Sequence, residues 1–386
     1  MRTYKFKMYP TSQEREKLYG TLNNCRFTYN KLLEFMNKQE KVDRGEVQHH
    51  IVDLKKEHTF LKNTYSKTLQ YEHYRLFSSM KGLSKSKKNG NKIGRLRFKS
   101  RNRYTSFTYN QSGYNIIETD KRYNKLHLSK IGDIRFKQSR EIEGNIKQIQ
   151  IKLKPSGWYC YIVTDGDYEC KNINNNEIGV DLGIMSFMVT SNKEVFDNPL
   201  YMNKSLDKIK ILSKQLSRTK KGSNNRRKVI HKLLRLWETI DNQKQDYFHK
   251  ISTKLVKENK LLVFEDLDIK SMTHKVGKNK YRNMKNILDS SWAKFINMLQ
   301  IKVSSTESEI VFVNPRNTSK MCSSCGNIKT DLQLWNRTYC CKECNLSIDR
   351  DYNASINIFR RGKELTFVGE DTITSSMNQE SMSFRA

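Results

Sequence analysis

Cys322-Ser-Ser-Cys325 and Cys341-Lys-Glu-Cys344 are separated by fifteen residues. Two CxxC knuckles across a short loop bring four thiolates to one tetrahedral Zn²⁺. Disulfides fit poorly, because they favour secreted chains and Met1-Arg-Thr-Tyr-Lys-Phe-Lys has no apolar signal-peptide core. Cys340 is the odd member of the cluster: a knuckle beginning there would need its partner at 343, which is Glu343. Gly326 suits the tight turn after the first knuckle. Zinc closed on four cysteines is structural, so chemistry must be sought elsewhere.

Three acidic positions offer it. In Ile178-Gly-Val-Asp-Leu-Gly183, apolar residues alternate with Gly179, Asp181 and Gly183. The acid thus lies on a strand face kept bare by glycines, which suits close approach of a bulky anion and its metal. Leu261-Leu-Val-Phe264 reads as a central strand covered on both faces. Glu265 follows it, at the carboxyl end where open α/β sheets take ligands. Asp349-Arg-Asp351 precedes a helical pattern running from Tyr352 to Phe359. We assign Asp349 to capping the helix amides and Asp351 to metal; spacing alone leaves the reverse assignment open. Taken singly, each acid has a bland reading as a turn cap, a surface glutamate or a helix cap.

Together, three carboxylates from two strands and a helix are what two-metal phosphodiester hydrolysis requires. Oxygen ligands hold Mg²⁺, and two ions about 4 Å apart activate the water and stabilise the leaving oxygen. The histidines lack paired metal spacing and there is no Walker-type phosphate loop, so nucleotide triphosphate hydrolysis has little support.

The chain has 386 residues, enough for two or three domains, and a formal net charge of +32. That charge implies a polyanion. No run approaches the eighteen or so apolar residues of a membrane helix, and the bases are interleaved with Tyr and Phe, so nucleic acid is favoured over lipid and no membrane partner is expected. From Lys81 to Arg103 ten of 23 residues are Lys or Arg, and from Lys214 to Arg235 nine of 22, with no acid in either stretch. Solvated helix faces normally mix signs, so both stretches read as phosphate-tracking. A ribosomal-type binder would share this charge, which therefore does not separate enzyme from scaffold.

Tyr4–Tyr9 reads as a strand, and Thr11-Ser-Gln-Glu14 as a capping box opening a helix with a stripe of Leu18, Leu22, Cys25, Tyr29 and Leu32. A second helix is expected from about Ser66 to Met80. Period-two alternation follows at Phe107 and Tyr109, Leu126 and Leu128, and Ile149 to Leu153, with a hairpin at Pro155-Ser-Gly157. This is an antiparallel β unit, expected to close into a small barrel. Because its first strand precedes the helices, the helical segment reads as an insertion, and the Asn-rich stretch 172–177 as a linker.

Asp181 in IGVDLG, Glu265 in VFEDL, the knuckles in TSKMCSSCG and YCCKEC, and Asp351 in DRDYNAS together resemble the transposon-encoded TnpB proteins, relatives of the compact type V CRISPR effectors. Tyr4–Pro10, Cys25-Arg-Phe-Thr-Tyr-Asn30, Arg97-Phe-Lys-Ser100 and the segment from Leu216 to Leu255 also look like family segments. The resemblance extends to about Arg361.

It implies an α/β plus β multidomain fold. A β-barrel wedge domain (1–9 and 93–170) would carry a helical recognition lobe (10–92). A RuvC-like, RNase H-type nuclease domain (171–318 and 346–361) would carry a zinc-ribbon insertion (319–345), with a disordered tail at 362–386. It implies an RNA-guided DNA endonuclease of an insertion sequence, working in the cytoplasm at the nucleoid. Asp181, Glu265 and Asp351 would be its Mg²⁺-binding catalytic acids, Cys322, Cys325, Cys341 and Cys344 its zinc ligands, and a guide RNA, target double-stranded DNA and the displaced single strand its partners. The two basic stretches would then touch guide RNA or heteroduplex. Tyr104, Phe107 and Tyr109 become candidates for stacking on unpaired bases, and Thr11, Arg26, Asn30, Lys67 and Tyr71 for reading the motif beside the target. Two other readings stay open: a nuclease-inactive RNA-guided repressor, and a non-catalytic zinc-ribbon RNA-binding protein. A DNA-joining transposase has less support, since His49-His50 lacks the context of an HUH-type site.

Overall fold

Alternation in the first strand, β1 (Arg2–Tyr9), buries Tyr4, Phe6 and Met8 on one face. In this computed structural model the chain forms two compact units, Met1–Asp167 and Tyr168–Ala386. The structure describes residues 1–40, 42–119, 122–166, 174–268, 290–333 and 335–368; the 172–177 linker reading falls partly outside them.

In the first unit β1 pairs with β7 (Gly157–Thr164) and β5 (Gly132–Lys137) at the centre of a seven-stranded antiparallel sheet. The other strands are β2 (Ser106–Asn110), β3 (Tyr114–Ile117), β4 (Asn124–Leu128) and β6 (Ile146–Lys154), in the order β2-β6-β7-β1-β5-β4-β3. Among the described residues no ladder joins the edge strands β2 and β3, so the expected barrel closure is not made by strand pairing.

Between β1 and β2 come α1 (Ser12–Lys38), α2 (Arg44–Glu57) and α3 (Ser66–Lys88). The capping box forms: Thr11 Oγ1 accepts from Glu14 N and Glu14 Oε2 accepts from Thr11 N at 2.7 Å. The helix α2 lay outside the sequence reading, although Asp43 caps it and Val47, Ile51 and Leu54 are buried at helical spacing. The helix α3 runs two turns past Met80, into the first basic stretch.

Several nucleic-acid contacts expected from the sequence fail here. Tyr104, Phe107 and Tyr109 are almost wholly buried, and Tyr109 donates its hydroxyl to Ser129 O at 2.8 Å; they are core, packed in the hydrophobic cluster of the first unit. Asn30 is also committed, clamping the Lys99 backbone by donating to its O at 3.0 Å and accepting from its N at 2.7 Å. Two segments singled out in the sequence, 25–30 and 97–100, therefore serve each other. Thr11 serves the helix cap.

In the second unit β8 (Asn176–Leu182), β9 (Ser186–Thr190), β10 (Val195–Asp197), β11 (Asn259–Glu265) and β12 (Glu309–Val313) form a sheet ordered β10-β9-β8-β11-β12. β9 runs antiparallel to β8 and β10, whereas β8, β11 and β12 are parallel. The helices are α4 (Tyr201–Lys204), α5 (Leu206–Arg218), α6 (Asn224–Glu258), α7 (Trp292–Val303) and α8 (Arg350–Val368). The apolar run of β11 feeds two cores. Leu262 and Phe264 join Phe248 of α6 and Phe295 of α7 on one face, while Leu261 and Val263 join Ile358 of α8 on the other. Layers on both faces explain the uninterrupted apolar run.

The helix α8 continues through Val368, past Gly362 where a disordered tail was expected to begin. The rest of that tail, 369–386, lies outside the described residues. Among the described residues no helix is long and apolar enough to cross a membrane.

Candidate functional site

Register places two of the acids side by side. Phe264 pairs with Val180 in the parallel β11–β8 ladder, so Glu265 and Asp181 follow as neighbours at the carboxyl ends of the two strands. Asp351 arrives in the first turn of α8. Asp349 Oδ1 accepts from the amides of Asp351 and Tyr352, both at 2.9 Å. It is the helix cap, which leaves the Asp351 carboxylate for other partners.

Glycine positions α8 for this. A Cβ on Gly179 would lie 2.2 Å from Ser355 O and 2.5 Å from Phe359 N. At Gly179 the bare face read from the glycines is thus filled by α8, whereas a Cβ on Gly183 would meet Ser186 O at 2.8 Å. Gly362 acts reciprocally, since a Cβ there would meet Val263 Cγ2 at 2.4 Å. Close helix-to-sheet approach at both positions carries Asp351 to the strand ends.

Burial pushes the Asp181 carboxyl well above the usual range, and repulsion from Glu265 and Asp351 adds to it. Burial also raises Glu265, against a hydrogen bond from the Thr318 hydroxyl and the Arg361 charge. Asp351 Oδ1 accepts from Arg350 Nε at 3.2 Å and Nη2 at 3.0 Å, and Arg337 Nη1 lies 3.5 Å from Oδ2. A buried carboxyl whose proton affinity neighbouring acids raise, as at Asp181, is one that a divalent cation would stabilise in its charged form. The three acids are less tightly gathered than the cysteines, whose ligand atoms all lie within 4.8 Å of one another.

The cysteines fit a tetrahedral ion closely. Cys322 Sγ is 3.6 Å from Cys344 Sγ and Cys325 Sγ is 3.5 Å from Cys341 Sγ, against about 3.8 Å for a tetrahedron of 2.3 Å Zn–S bonds. The Ser324 amide points at Cys322 Sγ from 3.4 Å, and backbone amides at Cys344 and Glu343 draw the Cys341 thiol down to about 6. Gly326 takes φ +77°, as its turn required. Cys340 is exposed on β13 (Thr338–Cys340), which pairs with β14 (Ser347–Asp349) and returns the chain to α8.

Two further residues join these centres. Asn353 and Asn357, one turn apart on α8, are fully buried. Asn353 Oδ1 accepts from Ser323 N at 2.9 Å and its Nδ2 donates to Met321 O at 2.7 Å. Asn357 Nδ2 reaches Thr318 O at 2.9 Å and Met321 O at 2.7 Å. Asparagines at i and i+4, repeated on one face of the helix that follows the knuckles, were the available signal for this joint.

Three family models match the chain in order. One described as "Helix-turn-helix domain" covers residues 1–42, one described as "Probable transposase" (OrfB_IS605) covers 148–276, and "Cas12f1-like, TNB domain" covers 292–358. The described residues of 1–42 form one strand and one long helix. The Escherichia coli (strain K12) protein named "Putative RNA-guided DNA endonuclease InsQ" is 27% identical over 96% of this chain and 94% of its own length. A Streptomyces pristinaespiralis protein of the same description is 27% identical over 96% and 91%. A Methanocaldococcus jannaschii TnpB-like protein is 31% identical over 40% of this chain and 55% of its own. A cryo-EM structure of a Cas12f1–sgRNA–target DNA complex shares the fold at TM-score 0.55 and 19% identity, over 90% of this chain and 82% of that one. The chain is thus similar, in order along its length, to the OrfB_IS605 and Cas12f1-like TNB family models and, over nearly its whole length, to proteins named as RNA-guided DNA endonucleases.

Proposed function

We propose that this protein is an RNA-guided DNA endonuclease of an insertion-sequence element. It would bind a guide RNA and cut target DNA beside a short flanking motif. The observation that carries the reading is the meeting of Asp181, Glu265 and Asp351 at one end of the mixed sheet, with mutual repulsion raising Asp181. Asp181, Glu265 and Asp351 would hold Mg²⁺, two ions in the two-metal form, which supplies an activated water and charge for the leaving oxygen. Cys322, Cys325, Cys341 and Cys344 would hold a structural Zn²⁺. The second unit is read as the RuvC-like domain with its ribbon, and the first as a wedge domain with a helical recognition insertion. The basic stretches 81–103 and 214–235 would follow the phosphates of guide RNA or heteroduplex.

The test is to purify the protein from its native locus, sequence the co-purified RNA, and incubate the complex with a plasmid carrying the matching target and a randomised flank. Mg²⁺-dependent cutting that Asp181→Ala abolishes while target binding persists is expected. Bound RNA with no cleavage, and Glu265→Ala behaving like the unaltered protein, would sink the nuclease reading. It would leave the repressor or the RNA-binding protein.

A further inference from the structure

Among the described residues, the hairpin of α5 and α6 leaves an apolar stripe exposed that belongs to none of the buried clusters of the second unit. The helix α5 has no buried residue. On α6, Ile230, Leu234 and Trp237 recur at i, i+4 and i+7 with exposures of 36%, 48% and 40%, so they share one helical face. Only the later part of α6, from Ile240 onward, supplies buried residues to the core. The stripe therefore lies on the half of a 35-residue helix that gives the core no buried residue.

Around it the charge has one sign. Exposed Arg227, Lys228, Lys232 and Arg235 flank the stripe, and Glu238 is the first acid of α6. An apolar stripe by itself would suit a second copy of this chain. Two such surfaces would then face each other with nine bases apiece in the stretch 214–235 and no acid between them, a like-charge juxtaposition that disfavours association. A polyanion with apolar faces fits both features at once: phosphates meet the flanking bases while unpaired bases stack on the exposed indole.

We propose that the 230–237 face of α6 is a stacking platform for an unpaired RNA segment, with Trp237 as the base-contacting residue. The inference rests on the guide-RNA reading above and adds to it a strand state, unpaired as opposed to double-helical, and a contact other than phosphate. Backbone tracking by the bases alone would not distinguish single-stranded from paired RNA in this way.

The test uses full-length protein freed of nucleic acid at high salt. The probes are a 20-nucleotide oligo(A) RNA with a central 2-aminopurine, and a fully paired RNA duplex of the same strand length. Trp237→Leu keeps the apolar surface and the charge, and Trp237→Phe keeps an aromatic face; melting curves report whether each folds. Expected are a roughly tenfold loss of oligo(A) affinity in Trp237→Leu, recovery of most of it in Trp237→Phe, an unchanged salt slope, and duplex affinity that barely moves. Photo-crosslinking of 4-thiouridine-substituted RNA should mark the tryptic peptide 236–244. The proposal is overturned if Trp237→Leu binds oligo(A) like the unaltered protein, if both probes weaken equally, or if the RNA-free protein sediments as a dimer that Trp237→Leu dissociates. None of these readouts needs cleavage. Failure of the nuclease reading, cutting that survives Asp181→Ala, is seen separately.

Discussion

Asn353 receives the amide of Ser323 on its side-chain oxygen at 2.9 Å, two residues after Asp351 on the same helix. The ribbon and the acidic site are thus joined through side chains of α8, with Asn357 and Arg360 reaching the same knuckle beside Asn353. Whatever holds the first knuckle in shape also holds the start of α8.

Removing that joint should be costly. Asn353→Ala leaves the Ser323 amide buried without an acceptor, a loss of about 1–3 kcal/mol. The variant should melt earlier, and its Mg²⁺-dependent cleavage should fall further than its RNA binding. Differential scanning calorimetry beside a plasmid-cutting assay checks both; cleavage equal to that of the unaltered protein would remove Asn353 from the positioning scheme.

The contact at Gly179 predicts a sharper steric effect. Gly179→Ala puts a methyl 2.2 Å from a carbonyl oxygen of α8, and backbone has little room to yield. We expect about 1–3 kcal/mol of destabilisation and loss of cutting with guide RNA still bound. Gly94→Ala, whose Cβ would meet nothing within 4 Å, is the control and should behave normally.

Zinc removal should act indirectly. Cys322→Ser should lower the zinc content measured by atomic emission and impair cleavage, by loosening the knuckle on which Asn353 and Asn357 sit. Unchanged zinc and unchanged cutting together would contradict the role given to this ribbon.

A pH dependence follows from Glu72, fully buried on α3 with Arg75 Nη1 at 3.5 Å and Tyr104 and Cys25 near it. Burial lifts its carboxyl from the usual 4.5 to about 7, although Arg75 opposes the shift. The folded chain then holds a proton that the unfolded chain gives up. The stabilising contribution is complete below about pH 4.5, is lost progressively up to about pH 7 and is constant above it, a change of about 3 kcal/mol. Urea unfolding between pH 5 and 8.5 should show this decline in the transition of the first unit, and Glu72→Gln should flatten it.

Much of the candidate site was legible in the sequence because its chemistry is local. Two CxxC pairs announce a tetrahedral sulfur site wherever they lie, and an acid after four apolar residues announces the end of a covered strand. Asp349 does cap the helix, as expected, although spacing alone had left the reverse assignment open. What failed depended on neighbours distant in sequence. Nothing in IGVDLG says which element covers its glycine face. Alternation alone could not say whether Tyr104, Phe107 and Tyr109 face a core or a nucleic acid. Asn30 looked free because its partner, Lys99, is reached only once α1 and the chain beyond α3 have folded together.

The close seat of α8 on Gly179 has a temporal meaning. Ser355 and Phe359 are translated long after the strand they press against, so a growing polypeptide holds Asp181 and Glu265 with no Asp351 beside them while residues 266–350 are made. A chain interrupted before residue 350 would be a nuclease that never arms, and cutting power would belong solely to molecules whose last described helix has been made and docked.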